Sequence, residues 1–367
     1  MKISIIGTHG IPARYGGFET FAEQLALACA KEGIKVQVVN EKSNPIEQLH
    51  DNLEIVSSVY NKSENPIKFY RDSLRIAEAD SDIILCCGVG GAYYYRGILK
   101  RGVKVVTNVD GLEHLRKKYS LIQRLAIYFL QILAAKHSSK IVADSHSVEQ
   151  YWTKRFPKLK GKIKMIAYGA SDCEAFDASV LSGFGLEKDG YYLAIARLVP
   201  ENNILEMVDA MRHYIGKRKL IVVGRLEETA YVKTLKDNSD DKVIFLDAIY
   251  DKKVLDTLRQ GCYLYLHGHS VGGTNPSLLE AMKAGCACIC HDNVYNREVT
   301  GSSQLYFDTW DDLSIILNLM EHKVSDINIE ELRMRSTSKA QNYTWSRIFS
   351  SYIELFNRLN KNQSTSQ

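Results

Sequence analysis

The stretch His267-Gly268-His269-Ser270-Val271-Gly272-Gly273-Thr274-Asn275-Pro276-Ser277-Leu278-Leu279-Glu280-Ala281-Met282 reads as a strand end, a glycine loop and the start of a helix. The apolar run Tyr263–His267 supplies the strand. Thr274 or Asn275 suits the helix cap, and Pro276 its first position. Gly272 and Gly273 leave room for a ligand in front of that helix, where amides and the helix dipole favour an anion such as a diphosphate. Glu280 shares a helix face with Pro276, and helical side chains tilt toward the N-terminus. Its carboxylate is therefore placed to accept two hydroxyls of a ribose. The competing reading is a helix glutamate paired with a nearby cation.

Working outward, the same strand–helix rhythm fills the second half of the chain. Expected strands are Tyr191–Ala196, Lys219–Val223, Lys242–Leu246, Tyr263–His267 and Ala287–Cys290. The first half repeats it with Lys2–Ile6, Lys35–Val39, Asp82–Cys86, Val103–Asn108, Lys140–Ala143 and Ile163–Ala167. Amphipathic stretches lie between, such as Phe18–Glu32 closed by Gly33. Such alternation argues for α/β architecture, with parallel sheets covered on both faces. The chain has 367 residues, more than one core usually holds. The expected division is 1–170, an aperiodic linker at 171–189, a second domain at 190–340, and a C-terminal helix at 341–367 that crosses back to the N-terminal domain and ends in a polar tail. Open α/β sheets bind ligands beyond the carboxyl ends of their strands, so two facing sheets would enclose a cleft.

Three further loops follow strand ends. Gly7-Thr8-His9-Gly10-Ile11-Pro12-Ala13-Arg14-Tyr15-Gly16-Gly17-Phe18-Glu19-Thr20 opens the first helix, with glycines that admit an anion and Arg14 as a phosphate partner. It is neither GxGxxG nor GxxxxGK[ST], so nicotinamide and P-loop readings rank last. Arg197, in Ala196-Arg197-Leu198-Val199-Pro200-Glu201-Asn202-Asn203, suits bidentate contact with phosphate oxygens, or a surface salt bridge. Arg225, after Val223-Gly224, has a similar position.

Composition narrows the partners. Apolar residues make up 45% and charged residues 25%, and the net charge is +4. That is too weak a bias for nucleic acid, but it allows a local basic patch. Of eight cysteines none forms a CxxC pair; Cys286, Cys288 and Cys290 alternate as on one strand face. Buried reduced thiols, and with them a cytoplasmic location, are expected. The short apolar stretch at the N-terminus reads as a strand rather than a signal peptide, and no window is long enough to span a bilayer. The run Leu121–Ala135, between His114-Leu115-Arg116-Lys117-Lys118-Tyr119 and Lys136, His137 and Lys140, leaves two readings open. It is either an apolar helix with basic flanks that meets anionic lipid, or a core-facing helix with a solvated end.

Four segments together resemble glycosyltransferase family four, and within it the bacterial rhamnosyltransferase-like subgroup of polysaccharide and capsule biosynthesis. They are Gly10–Thr20, Asn108-Val109-Asp110-Gly111-Leu112-Glu113, Ala196–Ile204 and Gly268–Met282. The resemblance implies a GT-B fold of two doubly wound Rossmann-like domains facing a cleft. It implies retaining, metal-independent transfer of a sugar, L-rhamnose from dTDP-rhamnose, to a glycan or polyprenyl-diphosphate-linked saccharide. By resemblance, Gly16, Gly17 and Arg197 would bind the donor diphosphate and Glu280 the ribose. Thr274 and Asn275, beside Gly273, would contact phosphate or sugar, and Asp110 would sit near sugar and acceptor. Asp110 and Arg197 are the candidate catalytic residues, and an Asp-Gly turn is the alternative for Asp110. Of the two histidines, His269 is the candidate for lining the sugar pocket; a metal pair lacks a third ligand, and a structural role is the rival. Two departures stand out: Gly272 where the wider family has a first glutamate, and Asn202 and Asn203 where it has a lysine. Arg14, Arg225 or the helix N-terminus would compensate. A nucleotide-sugar 2-epimerase of the same fold and a non-catalytic sugar-nucleotide-binding protein are the rival functions.

Overall fold

The computed structural model describes the chain except residues 14–15, 110, 116–118, 323–326 and 365–367; at 159–160 and 362–364 only the backbone is described. The chain divides into two compact units, Met1–Gly169 with Trp345–Gln367, and Ala170–Thr344.

In the first unit the strands are β1 (Lys2–Ile6), β2 (Lys35–Asn40), β3 (Leu53–Ser57), β4 (Ile83–Cys87), β5 (Lys104–Asn108), β6 (Lys140–Ala143) and β7 (Ile163–Met165). Its helices are α1 (Gly17–Lys31), α2 (Pro66–Glu78), α3 (Tyr95–Lys100), α4 (Leu121–His137) and α5 (His146–Arg155). The second unit holds α6 (Ala178–Gly183), β8 (Tyr191–Ile195), α7 (Ile204–His213), β9 (Lys219–Val223) and α8 (Ala230–Asp237). It continues with β10 (Val243–Leu246), α9 (Lys252–Gly261), β11 (Leu264–His267), α10 (Pro276–Lys283) and β12 (Cys288–His291). After these come α11 (Val294–Thr300), β13 (Leu305–Phe307), α12 (Trp310–Glu321) and α13 (Ile329–Ala340). The last helix, α14 (Trp345–Ser364), belongs to the first unit.

The sheet orders are β3-β2-β1-β4-β5-β6-β7 and β10-β9-β8-β11-β12-β13. Every pairing is parallel, with Ile3 opposite both Val36 and Ile83, and Leu193 opposite both Ile221 and Tyr265. Each order reverses once, between β1 and β4 and between β8 and β11. Crossovers leave those two pairs of strands in opposite directions, which opens a crevice at their carboxyl ends.

The strands read as continuous apolar runs because both faces are buried. In the second unit Tyr192, Ala194, Leu220, Val222, Leu264, Leu266 and Ile289 join one core with Met207, Met211 and Leu317. The alternate residues Tyr191, Leu193, Tyr265, Cys288 and Cys290 are buried as well. The thiols of Cys286, Cys288 and Cys290 are free and interior, in keeping with the alternation read from sequence. Gly33 ends α1 at φ +74, with Gly33 N–H to Ala30 O at 3.1 Å and Ile34 N–H to Cys29 O at 3.0 Å. These two bonds make the left-handed helix stop anticipated at that glycine.

Two strands, β3 and β13, were not anticipated. Both lie at sheet edges, where Leu53–Ser57 and Leu305–Phe307 alternate or expose residues and lose the apolar signature. The stretch 171–189, expected to be aperiodic, carries α6, whose Leu181 is buried. α14 extends past Asn360 into the polar tail. Its Tyr352 hydroxyl accepts from Asn108 Nδ2 at 3.0 Å, and its ring lies 5.2 Å from that of Phe21.

Candidate functional site

In the second unit the crevice at β8/β11 is built by mutual bracing of the loops. Asn203, left-handed at φ 51, donates from Nδ2 to Gly268 O at 2.9 Å. Asn202 Nδ2 donates to Arg197 O at 2.8 Å. Ser270 donates from its amide (3.0 Å) and its hydroxyl (2.8 Å) to Glu201 O. Ser277, in the first turn of α10, donates to Ile195 O at 2.8 Å, so the helix start is tied to the end of β8. The two asparagines at the lysine position thus act as loop braces. A β-carbon on Gly268 would lie 2.2 Å from Asn202 O, and one on Gly224 2.3 Å from Ala196 O. Gly268→Ala must therefore push the β8 and β11 loops apart. The expected outcome is a loss of about 1–3 kcal/mol in urea unfolding.

This bracing sets Arg197 at the mouth. The side chain is exposed, and its guanidinium makes no ion pair among the described residues. Arg225 follows β9, is two-thirds exposed, and lies 3.6 Å from Glu227 Oε1. Gly272, at φ +151, has open space where a side chain would be. The amides of Gly272 and Gly273 make no internal hydrogen bond among the described residues. Asn275 is the cap of α10, and its Oδ1 accepts from Ser277 N at 3.0 Å. Its Nδ2 is what remains to donate to a ligand. Thr274 is buried. Pro276 lacks an amide hydrogen and the Ser277 amide is capped, so anion-facing amides belong to the glycine loop more than to the first helical turn.

Glu280 forms the ion pair of the competing reading and keeps an exposed flank. Its Oε2 pairs with Arg259 Nη2, yet the side chain remains 42% exposed. Arg259 is almost wholly buried and also bonds Asp256 Oδ1, at 3.2 Å from Nη1. Asp256 Oδ2 accepts from Glu174 N at 3.0 Å and pairs with Lys252. A chain of charges inside the unit thus fixes the Glu280 carboxylate on α10. The sequence carried no signal for Arg259, because an arginine in an amphipathic helix reads as a surface residue.

His267 is interior, with Nε2 unpartnered, and burial, then neighbouring His291, pushes it down to about 3. The ring is thus neutral and lines no open pocket. His269, half-buried, stacks on it at 4.4 Å between centroids. Its carbonyl accepts from Asn293 and Asn296 at 2.9 and 3.0 Å. Among the described residues no group of three His, Cys, Asp or Glu side chains gathers to hold a metal ion.

In the first unit the glycine loop lies at β1/β4. Asn40 fixes it, accepting from Ile11 N at 2.9 Å and donating to Ile11 O at 2.7 Å. Glu19 turns inward to accept from His9 N at 2.8 Å, and Glu23 accepts from Ala13 N at 2.7 Å. Asn40, Glu19 and Glu23 were missed from sequence, since each reads as an ordinary strand or helix polar residue. Gly16 and Gly17 are exposed at the start of α1, which has no side-chain cap. Its first amides are open to an anion. Arg14 and Asp110 lie outside the described residues.

Two Rossmann-like units, each with a glycine loop at its switch point, define the GT-B fold. Solved structures agree. A sucrose-phosphate synthase from Thermosynechococcus elongatus superposes with a TM-score of 0.81 at 16% identity, over 98% of each chain. A glycosyltransferase from Rickettsia africae gives 0.75 at 13%, again over 98% of each chain. The Anabaena protein HepE in complex with UDP gives 0.69 at 16%, over 98% of this chain and 100% of the other. No curated protein matches the chain. Residues 15–171 match the family "Glycosyltransferase Family 4", and residues 183–319 match "Glycosyl transferases group 1". The chain belongs to glycosyltransferase family four, whose members are retaining enzymes that use nucleotide-sugar donors. Between transferase, epimerase and binding protein, the matched family decides for a transferase.

Proposed function

We propose that the enzyme transfers L-rhamnose from dTDP-L-rhamnose to a glycan or polyprenyl-diphosphate-linked saccharide during assembly of a cell-surface polysaccharide. The observation that carries the reading is the exposed Arg197, free of ion pairs among the described residues, on a loop braced to the one that carries the open Gly272–Gly273 amides. The choice of sugar rests on the four segments that resemble the rhamnosyltransferase-like subgroup.

In this reading Arg197 and the glycine loop hold the donor diphosphate, and Glu280 accepts from the ribose. Gly16 and Gly17, with Arg14, are the first unit's own proposed anion contacts. Arg225 and Asn275 Nδ2 add donors, with Thr274 and Gly273 forming the loop wall, and His269 lines the sugar side. The bond from anomeric carbon to diphosphate oxygen breaks while the acceptor oxygen bonds to the same face. The acceptor proton passes to the departing phosphate oxygen. The protein's part is to stabilise the charge that develops on that leaving group. Asp110 positions the acceptor hydroxyl, or takes its proton in place of the phosphate. Guanidinium and amide groups supply the positive charge, so the reaction runs without a metal. Interior free thiols support a reducing, cytoplasmic site of action.

The test is a donor panel with a synthetic polyprenyl-diphosphate saccharide, products read by mass spectrometry, with and without EDTA. The expected result is a 6-deoxyhexose added from dTDP-L-rhamnose, unchanged by EDTA. Transfer of glucose from UDP-glucose instead, the donor found with HepE, would replace the donor assignment.

A further inference from the structure

Helix α4 presents an apolar stripe that its own unit leaves uncovered. Leu121, Ile122, Leu125, Phe129 and Ile132 are 74, 81, 69, 48 and 37% exposed. At 100° per residue these positions fall within about a quarter-turn of arc, along a helix about 25 Å long. Tyr93, 54% exposed, extends the stripe, its ring 6.0 Å from that of Phe129. The opposite side of α4 is the one that packs, through Gln131, Ala134 and Ala135. Scattered exposed leucines are ordinary on a protein surface; a contiguous row of aliphatic and aromatic side chains is not.

The charges carried by α3 and α4 themselves have one sign. α4 and α3 contain no aspartate or glutamate. Lys136 is exposed on the line of the stripe, and Arg96 is exposed on α3. Both, with Lys162, lie close enough to His137 to hold its imidazole below the usual value, after burial. No helix among the described residues is long and apolar enough to cross a bilayer. An apolar face of this length with a cationic end suits a helix lying in the headgroup layer, its stripe turned toward the acyl chains. A second copy of the chain is the poorer occupant, because two such faces would bring like charges together without a carboxylate on either helix.

We propose that the α4 face, with Tyr93 and the Arg96–Lys136 end, docks the protein on an anionic lipid surface. The dock needs neither donor nor acceptor, so it stands apart from the reaction proposed above.

The experiment is co-sedimentation of the full chain with vesicles of phosphatidylcholine and phosphatidylglycerol, and of phosphatidylcholine alone. Wild type is expected to bind the mixed vesicles and to bind the neutral ones several-fold less. Ile122→Glu and Leu125→Glu, at exposed positions, should each lower partitioning about tenfold or more. Arg96→Gln and Lys136→Gln should each lower it about fivefold, on the anionic vesicles only. Transfer to a soluble acceptor analogue without vesicles should be unaltered in all four. Wild type remaining in the supernatant would overturn the dock, as would glutamate variants that still bind. So would a wild-type dimer in sedimentation equilibrium that Leu125→Glu dissociates without any vesicle binding.

Discussion

Arg197→Ala is expected to lower transfer by about 100- to 1000-fold in kcat, with a melting temperature within about 2 °C of wild type. The size follows from the proposed role: a guanidinium that meets the charge developing on a leaving diphosphate. Stability should barely move, since the exposed guanidinium has no ion pair to lose among the described residues. Arg197→Lys should recover only part of the rate, because an ammonium cannot present two parallel N–H groups to phosphate oxygens. Steady-state kinetics with saturating acceptor, beside thermal melts, checks this. Wild-type kcat in the alanine variant would remove Arg197 from the chemistry.

Arg259→Met is expected to act the other way round, on stability first. Arg259 is interior and serves Asp256 and Glu280 at once. Removing one member of a buried pair typically costs about 3–5 kcal/mol, because the charge left behind is uncompensated. Asp256 keeps its bond to Glu174 N and its pairing with Lys252, and Glu280 can rehydrate through its exposed side. The expected loss is therefore at the lower end, about 3 kcal/mol in urea unfolding of the second unit. In the proposed reading Arg259 is a positioning residue, and kinetics separates that role from simple support. Arg259→Lys should recover most of the stability while the donor KM stays about tenfold high, with kcat little changed. An ammonium fills the charge but cannot reach both carboxylates in a fixed geometry. If KM returned together with stability, the contribution to Glu280 would be structural only.

Much of this architecture was legible because parallel strands buried on both faces announce themselves as apolar runs such as Lys219–Val223. The two strands that escaped notice, Leu53–Ser57 and Leu305–Phe307, lie at edges with one flank open, where that signature fades. The site divided in the same manner. Loops with glycine, proline and asparagine at fixed offsets, as in Gly272–Pro276, carry their backbone geometry in the residue types. What supports them does not. Arg259 is recognisable only once α9 and α10 are brought side by side, and the bracing by Asn203 and Ser270 only once the β8 and β11 loops touch. Glu280 was read as either a ribose ligand or half of an ion pair; it forms the pair and keeps an exposed flank. The two readings of Leu121–Ala135 differed in which side of the helix packs. Periodicity alone was silent there, because that segment is apolar nearly all round.

The second unit is one uninterrupted stretch, Ala170–Thr344, set inside the chain of the first. Its entry and exit lie together: Ala170 N donates to Tyr343 O at 2.8 Å, and Ala170 bridges Thr344. A body whose ends adjoin can be lifted out, or exchanged for a homologous one, with a single pair of neighbouring junctions. Recombination could therefore swap the portion proposed to hold the activated sugar as a cassette and leave the host portion's sequence untouched.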